Sequence, residues 1–271
     1  RFFMGEDEMD LGLTGKRALV LGASRGIGRG IADTLAAEGA RVIVASRDGD
    51  ACDAAAAAMR EAHGAEVLGT SCDMSDIDAV DRVASFAEDA FGGIDVLVNN
   101  TGGPPFGPVS KVESDTWRES FEAMFVSVTR LTGHLLPGMR ARGWGRILRV
   151  TSTGVVDPIP SLGISNSIRI ALTNWAKTLS FEIAPDGVTI NALMPGRIAT
   201  DRIDQLYTLT AKAQDKDIDT VKAEVAASIP MGRVGTVEEF GAMAAFLASE
   251  QAGYITGTAT AIDGGLTQRA V

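Results

Sequence analysis

The stretch Arg17-Ala18-Leu19-Val20-Leu21-Gly22-Ala23-Ser24-Arg25-Gly26-Ile27-Gly28 decides the fold. A short apolar run breaks into glycines and opens a helix, which is the order of a strand, a tight turn and a helix start. Gly22 allows the sharp exit from the strand, Gly26 lets backbone approach a ligand's phosphates, and Gly28 lets the helix lie close on the strand. The helix N-terminus behind the turn offers unpaired N–H groups and the positive end of the helix dipole, so Gly22, Ser24, Arg25, Gly26, Ile27 and Gly28 form a candidate phosphate site. The spacing is Gly-x-x-x-Gly-x-Gly rather than the commoner Gly-x-Gly-x-x-Gly, and glycines also mark ordinary loops. The flanking elements carry the reading.

Working outward, Ile27 to Glu38 continues as an amphipathic helix stopped by Gly39, and Arg41 to Ala45 follows as a second strand. A strand, helix and strand in that order form parallel strands joined by a crossover. Asp50 to Ala62 is helical on propensity, Val67 to Cys72 is a third strand, and Ser75 to Phe91 is a helix. Ile94 to Asn99 is a fourth strand, with the loop Asn99 to Pro105 at its carboxyl end, where ligands of such sheets bind. A long helix from about Ser114 to Arg142, a strand Arg146 to Thr151, a helix Gly163 to Ala184 and a strand Val188 to Leu193 follow. After Pro195-Gly196, residues 197–227 mix charged and apolar side chains and read as a lid, because loops of this length inside a compact domain are usually functional. Glu238 to Ala248 and Thr258 to Asp263 supply a last helix and strand. The expected class is α/β: one doubly wound domain, residues 10–271, with a mainly parallel sheet and helices on both faces. Residues 1–9 lack periodicity and read as a loose extension or cloning remnant.

Composition narrows the partners. With 271 residues and 45% apolar side chains the chain can bury a substantial core, and a net charge of −10 argues against nucleic acid or an anionic membrane. Cys52 and Cys72 form no metal-ligand pattern and read as a surface thiol and a small core residue, so no metal is expected. No apolar run of about 18 residues stands out, and a cytoplasmic location is the expectation.

The second strand ends in Ser46-Arg47, where an NAD-selective site places an acid on the adenosine ribose. Arg47, with Arg25, can instead pair with a 2′-phosphate, so NADP(H) is expected in preference to NAD(H); the bland alternative is a solvated arginine. Asp73, beside Met74, can accept a bond from an adenine amino group or cap the helix near Ser75.

Gly22-Ala23-Ser24-Arg25-Gly26-Ile27-Gly28, Asp73, Asn99-Asn100-Thr101-Gly102, Thr151-Ser152, Pro195-Gly196-x-Ile198-x-Thr200 and Asp263-Gly264-Gly265, over residues 10–267, resemble the short-chain dehydrogenase/reductases, in particular their 3-oxoacyl-carrier-protein reductase-like branch. The resemblance implies a Rossmann domain, a cofactor lying along Asn100, Thr101 and Gly102, and the segment Pro195, Gly196, Ile198 and Thr200 around the nicotinamide and pyrophosphate. It also implies a homotetramer and a small-molecule substrate.

That family's proton chemistry uses a serine, a Tyr-x-x-x-Lys pair and an asparagine. Ser152 matches the serine, but Ser165 stands for the tyrosine, Arg169 for the lysine and Met124 for the asparagine. Serine lacks the tunable acidity of a phenol, whose ordinary pKa is about 10, and arginine stays protonated. Ser152, Ser165 and Arg169 can still polarise a carbonyl, with water delivering the proton, and Arg169 can hold the nicotinamide ribose as the family lysine does. Three functions remain open: an NADP(H)-dependent oxidoreductase, a cofactor-binding sensor without turnover, and a non-redox lyase or isomerase whose anionic substrate Arg169 would hold. Tyr207 in the lid, Tyr254, His63, His134 and Asp157 read as packing, interface, solvent-facing or turn residues, with Tyr254 in the core or an interface.

Overall fold

The computed structural model describes residues 10–269; the expected extension at residues 1–9 lies outside them. Strands β1 (Arg17–Leu21), β2 (Arg41–Ser46), β3 (Val67–Ser71), β4 (Val96–Asn99), β5 (Gly145–Val150), β6 (Val188–Pro195) and β7 (Ala259–Ile262) form one parallel sheet in the order β3-β2-β1-β4-β5-β6-β7. Strands β4 and β5 are buried along their whole length, and β1 from Ala18 onward, because helices cover both faces, which is why β1 and β4 read as largely apolar runs rather than alternating ones.

Helices α1 (Gly26–Ala37) and α2 (Gly49–His63) cover one face, joined there by α9 (Val237–Ala248), whose Phe240, Ala244 and Leu247 share a core with Ile31 and Leu35. Helix α3 (Ile77–Phe91) and the two long helices cover the other face, where Val83, Leu131 and Ala176 pack on Leu19, Ile43 and Ile147. The alternation along a strand divides the two cores: in β5, Leu148 and Val150 face one way and Ile147 the other.

The expected helix from Ser114 to Arg142 is two helices, α4 (Ser114–Phe121) and α5 (Ser127–Ala141), joined by a π turn at Glu122–Val126. One extra residue in that turn carries Met124 into an apolar cluster with Ile164 and Ile168, beside Trp117 and Phe125. Helix α6 (Gly163–Ile183) brings the latter isoleucines. The segment expected to be a lid folds as α7 (Asp201–Gln214) and α8 (Ile218–Ser228), the latter capped by Asp217, with Tyr207 and Val221 turned inward. No helix among the described residues is long and apolar enough to cross a membrane.

One packing expectation is corrected and a second is narrowed. Cys52 is not a surface thiol: α2 sits on β2 and β3, so Cys52 is buried with its Sγ 3.1 Å from Ser46 Oγ, and burial raises its pKa. Tyr254 is not in the core: it stands fully exposed after α9, on the segment leading to β7.

Candidate active site

Strand order reverses between β1 and β4, and the crevice beyond their carboxyl ends is where a doubly wound sheet takes its ligand. The glycine turn closes on itself there. Asn100 Nδ2 donates to Gly22 O at 3.3 Å, and a Cβ at Gly28 would stand 2.3 Å from that same oxygen, so only glycine fits. Gly26 has φ +60°, in the left-handed region. Arg25 precedes α1 without a capping side-chain bond, and the first turn of α1 holds no acidic residue. The positive helix end is therefore open to an anion. Ser46 Oγ donates to Ser24 Oγ at 3.1 Å and ties the turn to the end of β2, where Arg47 is exposed. Among the described residues neither Arg25 nor Arg47 has a carboxylate partner. A cradle closed by glycines, an unneutralised helix end and two free guanidiniums fit the phosphates of a dinucleotide.

The opposite rim comes from β6. Gly235 pairs with the amides on either side of Ile198, taking Ala199 N–H at 2.9 Å and donating to Arg197 O at 2.9 Å. This leaves the Ile198 N–H aimed away from that bridge. Thr200 Cγ2 would lie 3.5 Å from a Cβ on Gly26, so the Pro195–Thr200 segment meets the glycine turn directly. Gly102 faces open space, and Thr101 is half-buried beside it. Asp73 Oδ1 accepts from Ser75 N and Oγ at 2.9 and 2.8 Å, closing a turn ahead of α3, whose cap is Asp76 rather than Asp73, while Met74 packs against the core under α3.

Ser152 follows β5 and its Oγ accepts from Gly154 N–H at 3.0 Å. Ser165 and Arg169 share a face of α6 one turn apart, and Arg169 Nε donates to Ser165 Oγ at 3.1 Å. Arg169 Nη1 donates to Val150 O at 2.8 Å, fastening α6 to the end of β5. Burial lowers the Arg169 guanidinium to about 10, which still leaves it charged at neutral pH. The structure thus engages Arg169 with two protein acceptors, which disfavours its use as the main holder of an anionic substrate. Met124, at the position where the resemblance expects an asparagine, supplies a thioether to an apolar cluster and no hydrogen bond.

A cleft of about 370 Å³ runs from Ile27 at the glycine turn past Pro195–Ile198 to Ser152. Ser165 and Arg169 lie behind that wall, buried, rather than among the lining residues. Helix α7 contributes Arg202, Ile203 and Leu206, and the segment after β7 contributes Leu266 and Thr267. Ile203 and Leu206 fall in the segment expected from the sequence to be a lid, whereas Arg202, Leu266 and Thr267 were not among the sequence candidates. Arg202 and Leu206 share one helix face, a signal present in the chain, but Leu266 and Thr267 reach the cleft only through the return of β7 to the sheet. Arg202 lies 4.4 Å over the ring of Phe106, so α7 touches the loop after β4. Asp157 lines the cleft and pairs with Arg269 at 3.2 Å. Tyr207 is 5% exposed and packs inward from the lid, and burial raises its hydroxyl pKa. His134 and His63 meet Asp81 and Asp33 at 2.7 and 3.3 Å, away from the cleft. Among the described residues no cluster of His, Cys, Asp or Glu could hold a metal ion.

Known proteins share this fold. Residues 22–267 match the family described as Enoyl-(Acyl carrier protein) reductase. The chain is 35% identical to 3-oxoacyl-[acyl-carrier-protein] reductase FabG of Escherichia coli over 256 residues, covering 93% of this chain and 97% of that protein. It is 33% identical to Dehydrogenase/reductase SDR family member 4 of Sus scrofa, covering 95% and 89%. Among solved structures, L-sorbose reductase from Gluconobacter frateurii, complexed with NADPH and L-sorbose, superposes with a TM-score of 0.92 at 33% identity over 97% of this chain and 100% of that one. YwfH, an NADPH-dependent reductase of bacilysin biosynthesis, superposes with a TM-score of 0.90 at 31% identity, over 95% and 100%.

Proposed function

The chain belongs to the short-chain dehydrogenase/reductase family and is an oxidoreductase of that family, and we propose that it uses NADP(H) to interconvert a carbonyl and an alcohol on a small-molecule substrate with an altered catalytic set. The observation that carries this reading is the continuity of the cleft: one end opens on the uncapped start of α1 and the other on Ser152. When bound, the nicotinamide supplies or accepts the hydride. Gly22, Ser24, Gly26, Ile27 and Gly28 hold the pyrophosphate, Arg25 and Arg47 the 2′-phosphate, Asp73 and Met74 the adenine, and Asn100, Thr101, Gly102, Pro195, Gly196, Ile198 and Thr200 the nicotinamide half.

Of the two hydroxyls, that of Ser152 lines the cleft and acts as donor to the substrate oxygen, while that of Ser165, buried just behind the wall, reinforces its field. Each already accepts an N–H bond, from Gly154 and from Arg169, so the proton of each hydroxyl is the group left to offer. Arg169 acts through Ser165 and, from behind the cleft wall, keeps positive charge close to the developing oxyanion. Neither serine transfers a proton at neutral pH as a phenol does, so water brings it. The apolar lid and the Phe106 wall exclude bulk solvent when closed. The resemblance further supports a homotetramer.

The test is calorimetric titration with NADPH and NADH, repeated on Arg47→Ala, and a carbonyl panel followed by NADPH absorbance. We expect NADPH to bind, and its affinity to fall about 10- to 100-fold in the variant while NADH affinity holds, as loss of a charge-assisted bond costs about 1.5–3 kcal/mol. Absence of binding by either cofactor overturns the reading; binding without any consumption identifies a sensor.

A further inference from the structure

A second cavity, of about 150 Å³, opens between α6 and the sheet where β5, β6 and β7 lie side by side. Arg149, Thr173, Asn174, Lys177 and Thr258 are among its lining residues, and it shares none with the cleft. Arg149 projects from β5 and is 2% exposed. A guanidinium has five N–H donors and no acceptor. Here Nη1 donates to Leu172 O at 2.9 Å, whereas Nε is buried without a partner. Lys177 Nζ sits 5.3 Å over the Phe181 ring, and a Cβ on Gly257, another lining residue, would lie 2.9 Å from it. No aspartate or glutamate lines the cavity, and among the described residues neither cation forms an ion pair.

An unmatched buried donor costs about 1–3 kcal/mol, and an uncompensated buried charge costs more. Water can accept from Nε but leaves the charge uncompensated, and burial together with the charge of Arg169 already lowers Arg149 to about 9. The volume, several times the ~30 Å³ that one water occupies in the liquid, admits a group of a few heavy atoms. We propose that this cavity binds a small oxyanion, a carboxylate or a phosphate, held between Arg149 and Lys177. Its charge offsets that of Arg149 and relieves the repulsion on neighbouring Arg169, so that occupancy stabilises the side of the sheet that carries the catalytic helix.

Crystals grown without oxyanions and soaked in selenate test this by anomalous scattering. The expected result is a peak between Arg149 Nε and Lys177 Nζ that disappears in Lys177→Met, a substitution at the cavity rim that leaves the core intact. No peak there in the wild-type protein overturns the proposal, as does a peak that persists unchanged in both Lys177→Met and Arg149→Met, which marks an adventitious ion only. In solution, phosphate or acetate should raise the Tm by ~3 °C or more over chloride at equal ionic strength. The part of the rise lost in Lys177→Met belongs to this cavity, and the anion that produces it identifies the ligand class; equal melting in all three salts overturns the proposal.

Discussion

Ser165 accepts a hydrogen bond from a cation, and that contact fixes where its own proton points. With Arg169 fastened to Val150 O, the pair is rigid and partly desolvated, conditions under which an aimed hydroxyl dipole stabilises charge far better than it does in water. Ser165→Ala should lower kcat about 10²-fold with little change in KM, measured by steady-state kinetics on the native substrate. Restoring the family pair with Ser165→Tyr and Arg169→Lys should also lower native activity, because lysine lacks the fork that serves Ser165 and Val150 O together. A rise in activity would mean that the serine and arginine are no dedicated arrangement. The residues of this site were nameable only through the resemblance to the short-chain dehydrogenase/reductases, but the bond between Ser165 and Arg169 was not, since i,i+4 spacing permits contact without choosing the rotamer.

At the scale of elements, α1 serves twice: its N-terminus faces the cleft and its buried side packs on α9. Phe240 of α9 is completely buried in the core that also holds Ile31 and Leu35. Phe240→Ala should cost about 3–5 kcal/mol in urea unfolding and weaken cofactor binding as the start of α1 loosens. Helices and strands were legible because period and punctuation agreed along most of the chain. The π turn at Glu122–Val126 was not, because its residues are ordinary helix formers. Packing of Met124 against Ile164 and Ile168 decides that extra residue, and such packing exists only once α6 is in place.

For the whole molecule, Asp95 links β1, β4 and the end of α5, taking bonds from Arg17 at 2.6 and 2.8 Å and from Arg142 at 3.1 Å. Burial raises its carboxyl, but the hydrogen bonds and charges of Arg17 and Arg142 outweigh that and hold it below its ordinary value. A carboxylate with a depressed folded pKa contributes stability above its unfolded pKa of about 3.9 and loses it as pH falls through the folded value. Asp95→Asn should therefore be less stable by about 1–3 kcal/mol at neutral pH, and its melting curve should converge on the wild type at low pH. The proposed tetramer has apolar surface available for it, with Phe181 70% exposed on α6 and Phe121 43% exposed on α4. Native mass spectrometry should show four chains, and Phe181→Glu should shift the protein to smaller species. The sequence by itself determined the parallel sheet, its crossover helices and the dinucleotide-type turn, because each depends on local periodicity and on glycine geometry within a few residues. Only the tertiary structure decided which side chains share a cavity. Leu266 and Thr267 reach the cleft, and Arg149 comes to face Lys177, through the stacking of β5, β6 and β7, strands distant in the chain whose order is set by the burial of the whole sheet.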